Sequence, residues 1–396
     1  MDGLGGQPPM APLPGGSLPA TQPDLGAMPG MMGADAGLTG PGATPTLDAA
    51  ASGNLDAAIA GGAAPVAGAG GAVAASSNNY STMLGDQSPF MVRVANQQPN
   101  PPDPRLASKI VPSVRGFKIA ENMSPIPQDR IFFGFNFYDQ LSQDLNEFFE
   151  SPLKDIRYYR YVFGFEKTFN EGKGSVGLRL PLNTLYAKSV NPRLAAGGHS
   201  TSLGNLTIFT KYILGQNPRT GSLVTVGLAL TPPTGPDRLA GANFVRGLNT
   251  TTFQPFLGYF LPVGRRGWIH GFTAVDVPMN IQDATMAYND IGINYFLFRS
   301  QEPYDYLTAI VPTFEVHVNN PLNHRNEYSF RDLNGVPDVV NLTFGVNFEF
   351  FRSSVLTMGI ATPVTGPRPF DLEALVLFNV RFGGSRNLPI FPIIGG

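Results

Sequence analysis

Between Arg130 and Phe382 apolar side chains return at every second position, stretch after stretch, and the connections between stretches alternate long and short. Ile131, Phe133, Phe135 and Phe137 share one side of the first stretch, and Phe132, Gly134, Asn136 and Tyr138 share the other. Tyr159, Tyr161, Phe163 and Phe165 stand in the same way against Arg160, Gly164 and Glu166. The pattern continues with Val224, Val226, Leu228 and Leu230 against Thr225, Gly227 and Ala229, and with Leu342, Phe344, Val346 and Phe348 against Thr343, Gly345 and Asn347. A period of two alternates side chains across a strand. Long loops at one rim and tight turns at the other predict an all-β fold, an antiparallel up-and-down transmembrane β-barrel of about 12 strands.

The alternative with the same pattern is a water-soluble barrel whose apolar face points inward. Its outer face would then be mostly Gly, Thr and Asn, with few of the charges that keep a soluble sheet from pairing with its neighbours. Only 14% of the chain is charged, against about 25% in soluble domains. The apolar face is therefore assigned to lipid and the polar face to the lumen. Pro255 and Pro312 fall inside predicted strands, where bulges or weakened pairing are expected.

Residues 1–110 are of another kind. This Gly/Pro/Ala tract has no aromatic before Tyr80 and no Lys or Arg before Arg93, so it is expected to be a disordered tail. The uncharged run 57–75 is mostly Gly and Ala and contains Pro65, which suits a linker better than a membrane helix. The start has neither a basic region nor an apolar core of about 7–15 residues, so export would need a leader that this numbering omits. Residues 111–129 are expected as a lead-in at the short-turn rim, 130–382 as the barrel, and 383–396 as a C-terminal tail.

The net charge of −2 gives no basic footprint for nucleic acid, and the absence of Cys excludes disulfides and thiolate metal sites. By phase the lumen receives Arg160, Glu166, Arg179, Lys211, His270, Asp276, Glu315, His317, Glu349 and Arg381. Asn136, Asn205, Asn347 and Asn379 accompany them. Such a lining either orients polar solutes by its field or pairs across the interior and fills it. Arg179 and Glu315 are expected on opposite walls. Phe132, Phe209, Phe256, Phe260 and Phe296 share the inward phase and suit either aromatic solutes or simple filling.

Glu315 and His317 have a spacing that fits two metal ligands, but no third is evident and no metal is expected. Nor is a cofactor expected. A barrel-borne lipase would need Ser and His together on the outer face; His270 and His317 take the polar phase instead, so no enzyme is expected. Gly172-Lys-Gly-Ser175 and Gly264-Arg-Arg-Gly267 are turns. Tyr158, Tyr159, Tyr161, Tyr212, Tyr259, Tyr288 and Tyr306 are expected as an interfacial girdle, and Asp144-Leu-Asn-Glu147 predicts a short helix at the mouth.

The closing strand sets Val376, Phe378, Val380 and Phe382 on one face and resembles the C-terminal assembly signal of Gram-negative outer-membrane barrels. The segment Pro127-Gln-Asp-Arg-Ile-Phe-Phe-Gly-Phe-Asn-Phe-Tyr138, with the strands after it, resembles bacterial outer-membrane transporters grouped with the phenol-degradation meta-pathway proteins. The resemblance covers about residues 130–382. It implies an outer-membrane channel or uptake protein for small solutes; the even strand count sets both termini in the periplasm, and a monomeric or oligomeric barrel with outer-membrane lipids and the barrel assembly machinery as partners is expected. The alternatives are selective uptake of apolar or aromatic compounds, or a structural anchor without conductance.

Overall fold

The computed structural model describes residues 82–86, 117–151, 153–190, 198–242, 248–302, 305–328 and 334–382. The linker 57–75, the C-terminal tail 383–396 and most of the N-terminal tract lie outside the described residues. Fourteen strands form one antiparallel sheet: β1 (Arg130–Asp139), β2 (Leu153–Phe169), β3 (Gly174–Ser189), β4 (Gly198–Leu203), β5 (Thr207–Gln216), β6 (Leu223–Thr231), β7 (Thr252–Val263), β8 (Gly267–Pro278), β9 (Met286–Tyr295), β10 (Phe298–Arg299), β11 (Leu307–Pro321), β12 (Val339–Phe350), β13 (Ser354–Pro363) and β14 (Leu372–Arg381). β4 only extends β3 and β10 only borders β11, which leaves a ring of twelve. The ring runs in chain order and closes twice over, through β14 on β1 from Arg130↔Arg381 to Asp139↔Leu372 and through β9 on β11.

Closure follows from the solvent. Backbone N–H and C=O groups facing hydrocarbon must find partners within the chain, and a closed ladder leaves no edge. The outward phase is the apolar one: Phe163, Leu178, Val226, Ile293, Phe344 and Phe378 are all exposed. Neighbouring rings on that surface meet in register, Phe133 with Phe163 at 5.2 Å, Phe135 with Tyr161 at 5.2 Å and Phe137 with Tyr159 at 5.0 Å between centroids. The barrel is thus apolar outside and polar inside, as the alternation predicts.

Both strand prolines sit where a ladder bond is not needed. Pro312 opposes Val346 on β12, while its other side lies just beyond the last β9 pair, Thr313↔Asn294. Pro255 pairs with Leu228 on β6 and falls in a gap of the β7–β8 ladder between Phe253 and Phe256. Neither shifts the register, so the expected bulges do not form there; the irregularities are at Lys154/Arg157, Ile213/Gly215 and Leu307/Ala309 instead.

Connections 170–173, 217–222, 264–266, 296–306 and 351–353 share the rim where β1 begins and β14 ends. The opposite rim carries the longer excursions, including β4 and the helix α1 (Gln143–Phe148). That helix starts after Ser142, which takes φ 50°, rather than at Asp144, and its N-cap has no side-chain hydrogen bond. Its Leu145 is buried, and the helix packs against β2. Asn205 lies outside the strands and bonds Asn249 and Gly235 among these loops. Two members of the expected tyrosine girdle turn inward, Tyr158 and Tyr288, and both are fully buried.

At a mid-strand outward position, Val226→Arg is expected to destabilise the barrel by about 2–4 kcal/mol in denaturant titrations in lipid vesicles. A change within a few tenths would mean that this face does not meet hydrocarbon.

Candidate functional site: a plugged, charge-divided lumen

The inward phase solves two problems, filling space and pairing charge. Space is filled by aromatic rings laid over glycines on the neighbouring strand. Phe132 covers Gly164, Phe209 covers Gly177, Phe256 covers Gly227 and Phe272 covers Gly258, each pair in direct register. A Cβ at any of these glycines would fall within 2.0–2.9 Å of the ring opposite. Phe260 is buried in the lumen, and Phe296, just after β9, is buried against Trp268 at 4.9 Å.

Charge is divided between two walls. Arg130, Arg160, Arg179 and Lys211 project from β1, β2, β3 and β5, and all are buried. Asp276, Asp290 and Glu315, with His270 and His317, project from β8, β9 and β11 and are equally buried. Around a ring of twelve, β2 and β9 are six places apart, as are β3 and β11. Arg160 therefore faces the Asp290 wall, and Arg179 faces the Glu315 wall. Two acids are buried on or beside the basic side: Glu166, to which Arg130 Nε and Ser175 Oγ each donate at 2.8 Å with Lys211 Nζ 2.8 Å away, and Glu373 of β14, which accepts from Asn136 Nδ2 at 2.7 Å. Glu349 and Arg381 stand apart at the short-turn rim, 3.6 Å from one another.

Between the walls run two pieces of chain from the N-terminal side, Thr82–Asp86 and 117–127. Every residue of both is buried. This corrects two expectations. The lead-in does not stay at the rim, because from Phe117 to Pro127 it lies inside the barrel. Nor is the whole N-terminal tract without packing, since Met83 and Leu84 join the interior clusters. The two pieces bond to each other through their backbones, Met83 N to Met123 O at 2.8 Å and Asn122 N to Leu84 O at 3.3 Å. Gly85 takes φ +83°, and a Cβ there would sit 2.5 Å from Glu121 Cα, so only glycine lets the two pieces close on one another.

Wall side chains hold this plug, and among the described residues no backbone bond joins it to a strand. Glu315 accepts from Leu84 N at 2.8 Å and Gly85 N at 2.9 Å. Gln254 accepts from Ile119 N at 2.8 Å, and Thr225 Oγ1 donates to Pro125 O at 2.8 Å. Asn319 and Asn341 donate to Asp86 at 2.8 and 2.7 Å. Leu84 drops into a notch made by Gly345 and Gly359, which face each other on β12 and β13; a Cβ on either would come within 2.4 Å of its Cδ2.

Of the plug's three charges, Lys118 and Glu121 each meet a wall of opposite sign, while Asp86 is held by Lys118, Asn319 and Asn341. Lys118 reaches the acidic side, 2.6 Å from Asp290 Oδ1 and 2.5 Å from Asp86 Oδ1. Glu121 reaches the basic side: its carboxylate accepts from Arg160, and its carbonyl accepts from Arg179. Lys211 Nζ donates to Ser124 O at 2.6 Å. His317 Nδ1 donates to Asp290 at 2.8 Å, and its Nε2 lies 3.2 Å from Glu315.

A metal-like cluster does form on His317, but with Asp86 and Asp290 rather than with Glu315. The Lys118 ammonium contacts both carboxylates of that cluster and so supplies the positive charge a metal ion would bring. Outside the strands, at the short-turn rim, partial burial pushes the Asp129 carboxyl up, but bonds from Lys167 and Thr168 outweigh it and hold the group below its ordinary value.

Phase reasoning assigned most wall residues but passed over Arg130, Asp290 and Glu373, all buried inward. Arg130 is two residues from Phe132, and Asp290 lies between Tyr288 and Gly292 on the same face. That alternation was the signal available for them. For the plug no periodic signal exists.

No family model matches the chain, and no curated protein does. Among solved structures it is similar to an outer membrane channel from Pseudomonas putida F1, at 11% identity and TM-score 0.44 over 65% of this chain and 96% of that one. It is also similar to the KdgM porin, at 8% identity and TM-score 0.35 over 64% and 99%. The transport unit of the autotransporter AIDA-I from Escherichia coli gives 10% identity and TM-score 0.37 over 65% and 91%. Likeness at this level leaves function to be argued from the lumen itself.

Glu166→Gln is expected to lower stability by about 3–5 kcal/mol, because it leaves Arg130 and Lys211 buried without their carboxylate. Asp338→Asn, which breaks the exposed pair with Arg325, is expected to cost at most about 1 kcal/mol. Equal effects in denaturant titration would contradict the buried network.

Proposed function

We propose that this chain is a bacterial outer-membrane channel for small solutes, closed in this conformation by its own plug. The observation that carries the reading is the way the plug is held. Its contacts to the barrel wall come from wall side chains, and it adds no strand, so it can leave without breaking the ladder that keeps the barrel closed. Pro125 and Pro127, which lack an N–H, suit a segment that stays a guest of the sheet. A permanent filler would have no need of a plug separable from the wall.

With the plug withdrawn, basic and acidic walls would face one another across water and impose a transverse field on whatever passes. Passage is then diffusive, down a gradient, and needs no covalent chemistry from the chain. In this reading Arg160, Glu166, Arg179, Lys211, His270, Asp276, Glu315 and His317 line the path, with Glu349 and Arg381 at its periplasmic mouth. The short turns and both ends of the barrel face the periplasm, the long loops face outward, and Val376, Phe378, Val380 and Phe382 present the outward edge read by the assembly machinery. Selective uptake of aromatic compounds is disfavoured, because the inward rings of Phe132, Phe209 and Phe256 are spent on covering glycines.

Planar-bilayer recordings test the reading. The full-length protein is expected to conduct little, and Lys118→Gln/Glu121→Gln, which removes the two plug charges that meet the walls, is expected to raise the open fraction about 10-fold or more. No increase in a folded double variant, which keeps only Asp86 of the plug's three charges, would favour a structural anchor without conductance.

A further inference from the structure

The plug fits the lumen as a ligand fits a receptor, and its chemistry describes a solute. Lys118 places an ammonium against Asp290 of β9, with the Tyr288 ring centroid 5.1 Å from Nζ. Three residues on, Glu121 places a carboxylate against Arg160 of β2 and a carbonyl against Arg179 of β3. One short stretch of chain therefore bridges the two walls, positive end to acidic side and negative end to basic side.

The walls have binding capacity that the plug does not use. The Arg160 guanidinium takes the plug's Glu121 carboxylate, and Arg179 is left with a neutral carbonyl of the plug. Its Nε has no hydrogen-bond partner among the described residues, although the side chain is buried. On the acidic wall, Asp290 uses Oδ1 for Lys118 and His317, and Oδ2 has no hydrogen-bond partner among the described residues. A guanidinium accepts a carboxylate through two parallel bonds when one is offered, and a carboxylate takes an ammonium on either oxygen. The wall rings Phe132 and Phe209, at 5.4 and 5.8 Å from the Arg179 guanidinium, flank that end with apolar surface.

We propose that the lumen binds zwitterionic solutes of short-peptide size, taking the ammonium end at Asp290 and the carboxylate end at Arg160 and Arg179, and that the plug occupies this site as a built-in substitute for such a solute. The proposal rests on the channel reading for its physiological sense, since a solute reaches the site only when the plug has moved. The binding preference itself is a property of the two walls.

The test uses the purified full-length Lys118→Gln/Glu121→Gln protein, whose walls are intact, and four blocked hexapeptides. One is acetyl-Phe-Lys-Ile-Ala-Glu-Asn-amide, copying residues 117–122. The others carry Gln for Lys, Gln for Glu, or both. Equilibrium dialysis is expected to rank the doubly charged peptide at least about 10-fold tighter than either singly charged peptide, with the neutral peptide weakest. Adding Asp290→Asn should bring the doubly charged peptide down to the level of the peptide lacking Lys. Equal affinity for all four, or an unchanged ranking with Asp290→Asn, would overturn the proposal. If the double variant loses the heat-modifiable gel shift of a folded barrel, Leu84→Asp, which drives the plug from its apolar notch, takes its place with the same peptides and the same criteria. Bilayer currents separate the two claims: peptide ranking without any rise in conductance would sink the channel reading and leave the binding site standing, and conductance without ranking would do the reverse.

Discussion

A strand crossing a bilayer has no water to satisfy its backbone, so every N–H and C=O must be paired along the sheet, and the sheet must close. In this chain the β14–β1 and β9–β11 ladders complete that closure. Once the ring is closed, the pleat gives each strand one face for lipid and one for the interior. The apolar phase is committed outward, which forces Arg, Lys, Asp and Glu into a confined space. The remaining architecture follows from how that confined charge is met.

Ionised groups withdrawn from water cost several kcal/mol each unless they are paired. The barrel pairs some within a wall, as Glu166 does with Arg130 and Lys211. It leaves others divided across the lumen, with basic groups on β1 to β5 and acidic groups on β8 to β11. The plug resolves that division, because Lys118 and Glu121 carry opposite charges to opposite sides. Its apolar residues make use of the gaps left by small wall residues, above all Leu84 in the Gly345/Gly359 notch. Closing the lumen and neutralising it are one event, which couples the position of the plug to the field inside the barrel.

The strand phase was legible because Phe-rich alternation such as Ile131 to Tyr138 admits only one face for lipid. Arg160, Arg179, Lys211, Glu315 and His317 could be placed inside from that phase alone, and Arg179 could be set across from Glu315 by counting strands. Tyr158 and Tyr288 were misplaced because a tyrosine near a strand end suits a lipid headgroup and a buried rim equally; their phase, shared with Arg160 and Asp290, decides the matter. The short helix was assigned from an acidic capping pattern at Asp144, but the chain turns at Ser142 instead. The plug was not legible at all. Thr82–Asp86 and 117–127 have no periodicity, and their partners on β3, β7, β9 and β11 are far away in sequence. Only the closed barrel brings Gly85 and Leu84 to Glu315, 230 and 231 residues further along the chain.

The central claim is that a removable piece of this chain occupies the lumen, and a reversible cross-link tests it most directly. The protein has no Cys, so Leu84→Cys with Leu377→Cys introduces a single pair within the cluster that Leu84 forms with Leu375 and Leu377 of β14. The account predicts that a disulfide forms under mild oxidation in membranes, that it suppresses the residual conductance, and that reduction restores it. Failure of the pair to cross-link in a folded barrel, or an oxidised barrel that conducts as freely as the reduced one, would contradict it.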